Sequence, residues 1–532
     1  MGIIRSLTQL LIACTLMVSL PATAQDEDPG KALLEQLAEA RPAQVEDAIA
    51  AIAASGDVRA RSWLDAYGNN RLSQIKDTGR IVIVLNNRGR DWTIADPLTS
   101  ENLGEISRRE LSRISINNAI RGQLEGITAM LDLDAKDPEL RQSSAESLMG
   151  KVDAPIVEPL RQRLELEQDQ TVRNRIEAAL AIYRVEQGDI EAVEVLAGSL
   201  HPRARAALNN AAASDNPQLA EAANKALASI EQKLKINKAA ETLYFGLSMG
   251  SVLVLAAIGL AITFGVMGVI NMAHGELIML GAYTTWGVQQ LLPGQPGLAL
   301  LLSIPAGFLV AAIAGIIIER SVIQHLKGRP LETLLATFGI SLILQQLVRT
   351  VISPQNRTVV TPEWMSGSVV INDALSLTLN RLYVMAFALI VFAALMMIMR
   401  KTRLGLDVRA VTQNRAMARS MGIRATKVDI MTFALGSGVA GLAGVALSQL
   451  TNVGPNLGQN YIIDSFMVVV FGGVGNLWGT LIAGLSLGTI NQLLEPWAGA
   501  VLAKIIVLVF IILFIQKRPK GLFPQKGRAA EN

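Results

Sequence analysis

Asn271, His274 and Glu276 lie within six residues of one another, in a stretch (residues 259–283, GLAITFGVMGVINMAHGELIMLGAY) otherwise apolar enough for a bilayer. A charged group at mid-membrane costs roughly 2.5–3.5 kcal/mol on insertion scales, so such residues face a protein interior or a water-filled path and are candidates for function. Gly259, Gly265, Gly268, Gly275 and Gly281 interrupt the same stretch. Glycine breaks beside polar groups predict a discontinuous helix lining a cavity. The competing expectation is a tight helix crossing, with glycines for close approach and a His274–Glu276 pair satisfied inside the protein. Thr337, Gln345, Asn476 and Asn491 bring hydroxyl and amide groups to the same half of the chain. Amides such as Gln345 and Asn491 can satisfy a neighbouring helix.

A second informative stretch is basic. Arg400, Lys401, Arg403, Arg409, Arg415, Arg419, Arg424 and Lys427 crowd one connection between apolar runs, and an excess of Lys and Arg marks a cytoplasmic loop. Arg320, Lys327 and Arg329 mark another such loop, and Lys517, Arg518 and Lys520 the tail. The residues around Arg403, Gly405, Arg409, Arg415, Ala418 and Gly422 predict a short surface helix followed by a glycine turn.

The elements that position these groups are apolar segments near 243–263, 297–318, 332–352, 382–399, 428–450, 477–494 and 499–516. Each is close to the ~20 residues a bilayer requires. Two more, 266–286 and 461–475, are shorter or broken. Nine crossings counted back from the basic loops put the start of the first helix outside.

The whole-chain average of 51% hydrophobic and 17% charged residues conceals two unlike parts, because nearly all long apolar runs follow residue 240. A net charge of +3 is too small to imply nucleic acid as a partner. Cys14, the single cysteine, falls in the first apolar run, so a processed chain would hold no disulfide and no cysteine-ligated metal. Arg5, the run LLIACTLMVSL and Ala22-Thr23-Ala24 read as a signal peptide over residues 1–24. Residues 25–236 are polar, alanine-rich and helical in period. Phrases at Asp57, Asp137 and Asp169 each place an aspartate before a helix, as HEAT-like repeats do. Ile81 to Leu85, a turn through Gly89, and Asp91 to Ile94 predict a β-hairpin. His201, before Pro202, is expected to be a solvated helix-start residue. No metal cluster, nucleophile motif or phosphate loop is visible here, which leaves a docking or structural role.

Four stretches carry a family resemblance: Asn271-Met272-Ala273-His274-Gly275-Glu276 with Gly281-Ala282-Tyr283, then LLATFGISL (334–342), FGGVGNLWG (471–479) and RPKGLF (518–523). In this order they resemble the membrane subunit of branched-chain amino acid type ABC importers, over about residues 240–525. The basic loop resembles a degenerate coupling loop of such permeases. Ala418 and Gly422 match its second alanine and its glycine, while Ala416 stands where its glutamate would be.

The resemblance implies an all-α, polytopic membrane bundle preceded by a soluble helical domain with a small hairpin. Its parts would be a signal peptide (1–24), an exported helical domain (25–236), the transmembrane permease (237–526) and a tail (527–532). It implies a multi-pass protein of a bacterial inner membrane with a periplasmic N-terminal domain. The partners implied are a second, related permease, two cytoplasmic ATPase subunits that meet the basic loop, and a periplasmic substrate-binding protein. The chain itself lacks G-x-x-x-x-G-K-[ST], so nucleotide hydrolysis is expected on another polypeptide, with no cofactor and no enzymatic activity here. Within the family, the wording INMAHGELIMLGAYTTW after an exported extension is similar to the urea-importing branch. That implies urea or short amides as solute, with branched-chain amino acids as the alternative, and a path of amides, hydroxyls and other polar groups at Asn271, His274, Glu276, Thr337, Asn476 and Asn491. A passive solute channel could use the same broken helices but would have no need of the basic loop.

Overall fold

The computed structural model describes residues 28–41, 44–87 and 89–523. The expected signal peptide and the tail at 527–532 lie outside them. The chain forms two compact units, Met1–Gln232 and Lys233–Asn532, whose boundary falls inside one helix.

In the first unit, helices α1 (Pro29–Glu39), α2 (Val45–Ala54) and α3 (Ala60–Gly68) precede strands β1 (Leu72–Ile75), β2 (Ile81–Asn86), β3 (Asp91–Ala95), β4 (Asn102–Ser107) and β5 (Leu111–Arg113). Helices α4 (Asn118–Asp132), α5 (Pro138–Leu148), α6 (Ala154–Leu166), α7 (Gln170–Glu186), α8 (Glu191–Ala197) and α9 (Pro202–Ala212) follow. Leu34, Leu37, Ile49 and Ile52, spaced at helical period, bury against Trp63 and Leu64. The expected hairpin is present as β2 and β3, with Val84 opposite Ile94. It lies inside an antiparallel five-stranded sheet ordered β4-β3-β2-β1-β5, which corrects the all-α expectation. β1 has four residues and β4 is exposed along most of its length, so neither shows the alternation that marks a strand.

Asp137 and Asp169 do cap helices, accepting from the N–H groups of Glu139 and of Thr171 and Val172. Asp57 accepts from the Arg59 N–H. The sheet stands in the chain between this phrase and the other two, and a HEAT-type array is not shown. His201 opens α9 as expected, its Nδ1 accepting from the Arg203 N–H at 3.2 Å. It is not solvated: it is buried, and its Nε2 lies 3.0 Å from Glu146.

The second unit begins within α10 (Pro217–Met267) and continues through α11 (His274–Leu291), α12 (Pro296–Ser321) and α13 (Pro330–Val351). A hairpin of β6 (Ser368–Asn372) and β7 (Leu375–Thr378), outside the sequence expectation, leads to α14 (Leu379–Lys401). Then come α15 (Arg403–Gln413), α16 (Arg415–Ser420), α17 (Ala425–Ser448), α18 (Leu457–Gly472) and α19 (Leu477–Lys517). Among the described residues six helices are long and apolar enough to cross a membrane: α10, α12, α13, α14, α17 and α19. α19 joins two of the expected segments across a kink at Gly499, where φ is 75°. The two broken stretches form α11 and the shorter α18. Leucines and isoleucines such as Leu301, Ile343, Ile390 and Leu513 cover the outer faces of α12, α13, α14 and α19, whereas α17 is buried.

Small residues set the helix spacing. A methyl group on Gly250 of α10 would lie 2.7 Å from the Leu485 Cα of α19, and one on Gly436 of α17 would lie 2.7 Å from the Gly259 carbonyl oxygen. Only glycine permits backbones this close.

In the first unit, the buried Glu167 ties α5, α6 and α7 together. Arg141 donates to its two oxygens at 2.9 and 3.0 Å, Arg163 adds a bond of 3.2 Å, and the Asp169 N–H one of 3.0 Å. Burial pushes this carboxyl up, but the Arg141 bonds and the Asp169 N–H outweigh it and hold it below its ordinary value. A carboxyl held low stabilises the fold above the unfolded carboxylate range and loses that contribution as pH falls through it. Arg141→Met is therefore expected to lower the stability of this unit by about 2 kcal/mol at neutral pH. Thermal unfolding at pH 7 and pH 3.5 checks this, and the gap between variant and parent should narrow at the lower pH.

Candidate functional site

The α10–α11 break is built by its own side chains. Gly268, with φ 65°, turns the chain out of α10. The first N–H groups of a helix have no partner within it. Here the Asn271 side-chain oxygen accepts from the Ala273 N–H at 3.0 Å, and Thr337 Oγ1 of α13 accepts from the Met272 N–H at 3.1 Å. Thr337 in turn donates to the Thr333 carbonyl at 2.9 Å. One turn on, Glu276 Oε1 accepts from Ser341 Oγ at 2.9 Å and from Gln345 Nε2 at 2.7 Å. His274 Nε2 donates to the Ala256 carbonyl at 2.9 Å, so the expected His274–Glu276 pair does not form. All of these groups are buried. Asn271 Nδ2, His274 Nδ1 and Glu276 Oε2 are also buried and have no hydrogen-bond partner among the described residues. The break thus holds an unused donor, an unused ring nitrogen and an unused carboxylate oxygen.

The remaining two path candidates lie elsewhere. Asn476 caps α19, its oxygen accepting from the Gly479 N–H at 3.1 Å and its Nδ2 donating to the Phe523 carbonyl at 3.2 Å. It lines a crevice of about 570 Å³ together with Arg400, Arg409 and Thr412, on the side of the basic loop. Asn491 sits along α19 with its Oδ1 buried and without a hydrogen-bond partner among the described residues. Two of the recognised motifs meet in space: Leu522 and Phe523 donate backbone N–H groups to the carbonyls of Phe471 and Gly472 at 2.9 and 3.2 Å.

The basic loop folds as two short helices. Thr402 caps α15, Gly405 packs against the Met399 backbone, and Arg409 donates to the Met399 carbonyl at 2.6 Å. Ala418 is buried in α16. Gly422 has φ 88°, and the N–H groups of Gly422 and Ile423 bond the carbonyls of Arg419 and Ala418 at 3.0 Å each. This is the helix ending that a left-handed glycine permits. Arg403, Arg419 and Arg424 are exposed, as are Leu406, Met417 and Met421. Arg415 is different: it pairs with Asp429 of α17, inside the chain, rather than standing free for a partner subunit.

Several site residues escaped the sequence reading. Ser341 was not singled out, although it completes the Glu276 cluster. Asp429 and Glu319 are fully buried, and Lys327 Nζ bridges them at 2.8 and 3.1 Å. Asp464, buried in α18, pairs with Lys504 of α19 at 3.1 Å. The criterion that selected Glu276, a lone acid in an apolar run, also selects Asp464 in YIIDSFMVVVF.

Residues 242–515, just over half of the chain, match the family profile described as branched-chain amino acid transport system / permease component. The high-affinity branched-chain amino acid transport system permease protein LivH of Escherichia coli is 28% identical over 292 residues, which is 53% of this chain and 94% of that protein. BraD of Pseudomonas aeruginosa, of the same description, is 28% identical over 290 residues, 52% of this chain and 93% of the relative. The ribose import permease RbsC of Escherichia coli is 29% identical over 224 residues, 40% of this chain and 66% of the relative. No solved structure matches. These relatives are transport permeases and not enzymes. With its matched segment covering the membrane helices and both recognised loops, the chain belongs to the permease component family of branched-chain amino acid transport systems.

Proposed function

We propose that this chain is the translocation subunit of an ATP-driven, binding-protein-dependent importer of the inner membrane, and that its solute is a branched-chain amino acid. Glu276 is the observation that carries the substrate reading. A buried carboxylate is costly in an apolar bundle unless positive charge or donors compensate it. Ser341 and Gln345 supply donors to one oxygen, and Oε2 is left over. An ammonium group would complement that oxygen. The relatives named for branched-chain amino acids support the same choice over urea.

Energy would come from ATPase subunits docking on α15 and α16. Exposed Arg403 and Arg419 offer charge to acidic groups, and Leu406, Met417 and Met421 offer apolar contact. The N-terminal unit is read as an exported periplasmic domain, and a second, related permease as the partner across the bundle.

Urea remains the second reading, for one specific reason. Residues 1–241 lie outside the segment shared with the family, and an exported extension combined with the INMAHGELIMLGAYTTW wording was the basis of the resemblance to the urea-importing branch.

Uptake by the complete complex in proteoliposomes decides between them: leucine is expected to enter on ATP at least about tenfold faster than urea. The reverse order selects urea, and uptake without the ATPases selects a passive channel. Glu276→Gln, which removes the charge and keeps the shape, is expected to lower leucine uptake about tenfold or more, matching the 1.5–3 kcal/mol of a charged hydrogen bond. Normal uptake by a variant present at parental level in the membrane removes Glu276 from the site. Gln345→Leu strips one donor from the same carboxylate and is expected to lower the melting temperature of the purified chain, with Glu276→Gln in the same molecule recovering part of the loss.

A further inference from the structure

Resting on the permease reading, we propose that Arg415 and Lys327 are positioning residues that join the ATPase-facing loop to the gate helices through the buried carboxylates of Asp429 and Glu319. Four elements meet at this cluster. Arg415 opens α16, Asp429 is the fifth residue of α17, Glu319 lies in the last turn of α12, and Lys327 in the connection to α13. Asp429 Oδ2 accepts from both Arg415 and Lys327, and Lys327 also holds Glu319 Oε1. Two acids and two bases balance, and neither acid is exposed to solvent.

α16 has six residues, and Ala418 is its buried side chain. Its grip on the bundle therefore rests on Ala418, packed with Val408, Val411, Ala425 and Val428, and on the Arg415–Asp429 pair. If α16 is pushed, α17 moves with it or Asp429 gives up one of its two cationic partners, and the second course is unfavourable. α17 is the central helix of the unit. Gly436 touches α10, Gly441 touches α12, and Gly444 touches α11 at Ile278, two residues from Glu276. Displacement of α16 thus reaches the Glu276 break through rigid contacts. Glu319 Oε2 and Asp429 Oδ1 are buried without hydrogen-bond partners among the described residues, which gives Lys327 alternative acceptors to hold while α12 and α17 slide.

The test uses the complete complex in proteoliposomes, with leucine and urea as probes, and reads ATP hydrolysis beside uptake. Arg415→Gln leaves Lys327 between Asp429 and Glu319, so each carboxylate keeps one cationic neighbour. ATP hydrolysis is expected to stay within about twofold of the parent while uptake falls about tenfold, and Arg415→Lys should restore uptake. A parallel loss of both activities, the mark of a simple ATPase contact, overturns the proposal, as does unchanged uptake. Melting of the purified chain gives a transport-independent readout: Arg415→Gln should cost little in the Asp429→Asn background, and fully additive losses overturn the link. An unaltered complex that carries neither probe on ATP defeats the permease reading instead, and the melting comparison still decides the pair.

Discussion

A carboxylate among apolar helices must find its compensation inside the protein, and the membrane unit is arranged around that requirement. Glu276 draws donors from Ser341 and Gln345, Glu319 and Asp429 share Lys327, and Asp464 takes Lys504. Each solution joins at least two helices. Apolar packing is non-directional and leaves register open. A buried acid with a fixed partner does not, because sliding by one turn would separate the charges. These contacts specify where α11 lies on α13, α17 on α12, and α18 on α19.

Between these fixed points the helices touch through glycine. Ridges of side chain would hold neighbours roughly 8–10 Å apart, whereas small residues bring backbones closer. α17 carries Gly436, Gly441 and Gly444 toward three different neighbours. Those contacts are largely backbone to backbone, with Thr263 Cγ2 beside Gly436 and Ala311 Cβ beside Gly441, so α10, α11, α12 and α17 transmit displacement more than they absorb it. The compliant point is the break from Gly268 to Ala273, whose Ala273 and Met272 N–H groups are held by Asn271 and Thr337.

Much of the membrane half was legible because its signals are local. Apolar length located the six long helices, Gly268 and Asn271 marked the break, and Ala418 with Gly422 marked the end of α16. The partners of the polar groups were not legible. Glu276 and Ser341 are 65 residues apart, and Lys327 and Asp429 are 102 apart. No periodicity within one helix reports which face meets which neighbour. Closeness in sequence suggests a His274–Glu276 pair, the competing expectation, yet at a spacing of two they point to different sides of a helix, and His274 reaches back to Ala256 instead. In the N-terminal unit the hairpin was found because IVIVL is strongly β-forming. β1 and β5 were missed because they are short and β4 because it is exposed along most of its length, and pairing with their neighbours defines them more than their own residues do.

A gate of this kind needs one soft element between two stiff ones. The stiff element on the loop side is α16 clamped to α17 by charge, and the stiff element at the proposed path is α11, which abuts α17 at Gly281 and Gly444. If the break were a continuous helix, α10 and α11 would move as one rod, and any displacement of α11 would have to drag the long helix with it. The glycine at φ 65° separates them, and Thr337 and Asn271 accept from the Met272 and Ala273 N–H groups of the connection. The polar residues at the break therefore serve two ends at once. Asn271 and Thr337 satisfy the turn that separates α11 from α10, and Glu276 places an unspent carboxylate oxygen just beyond it.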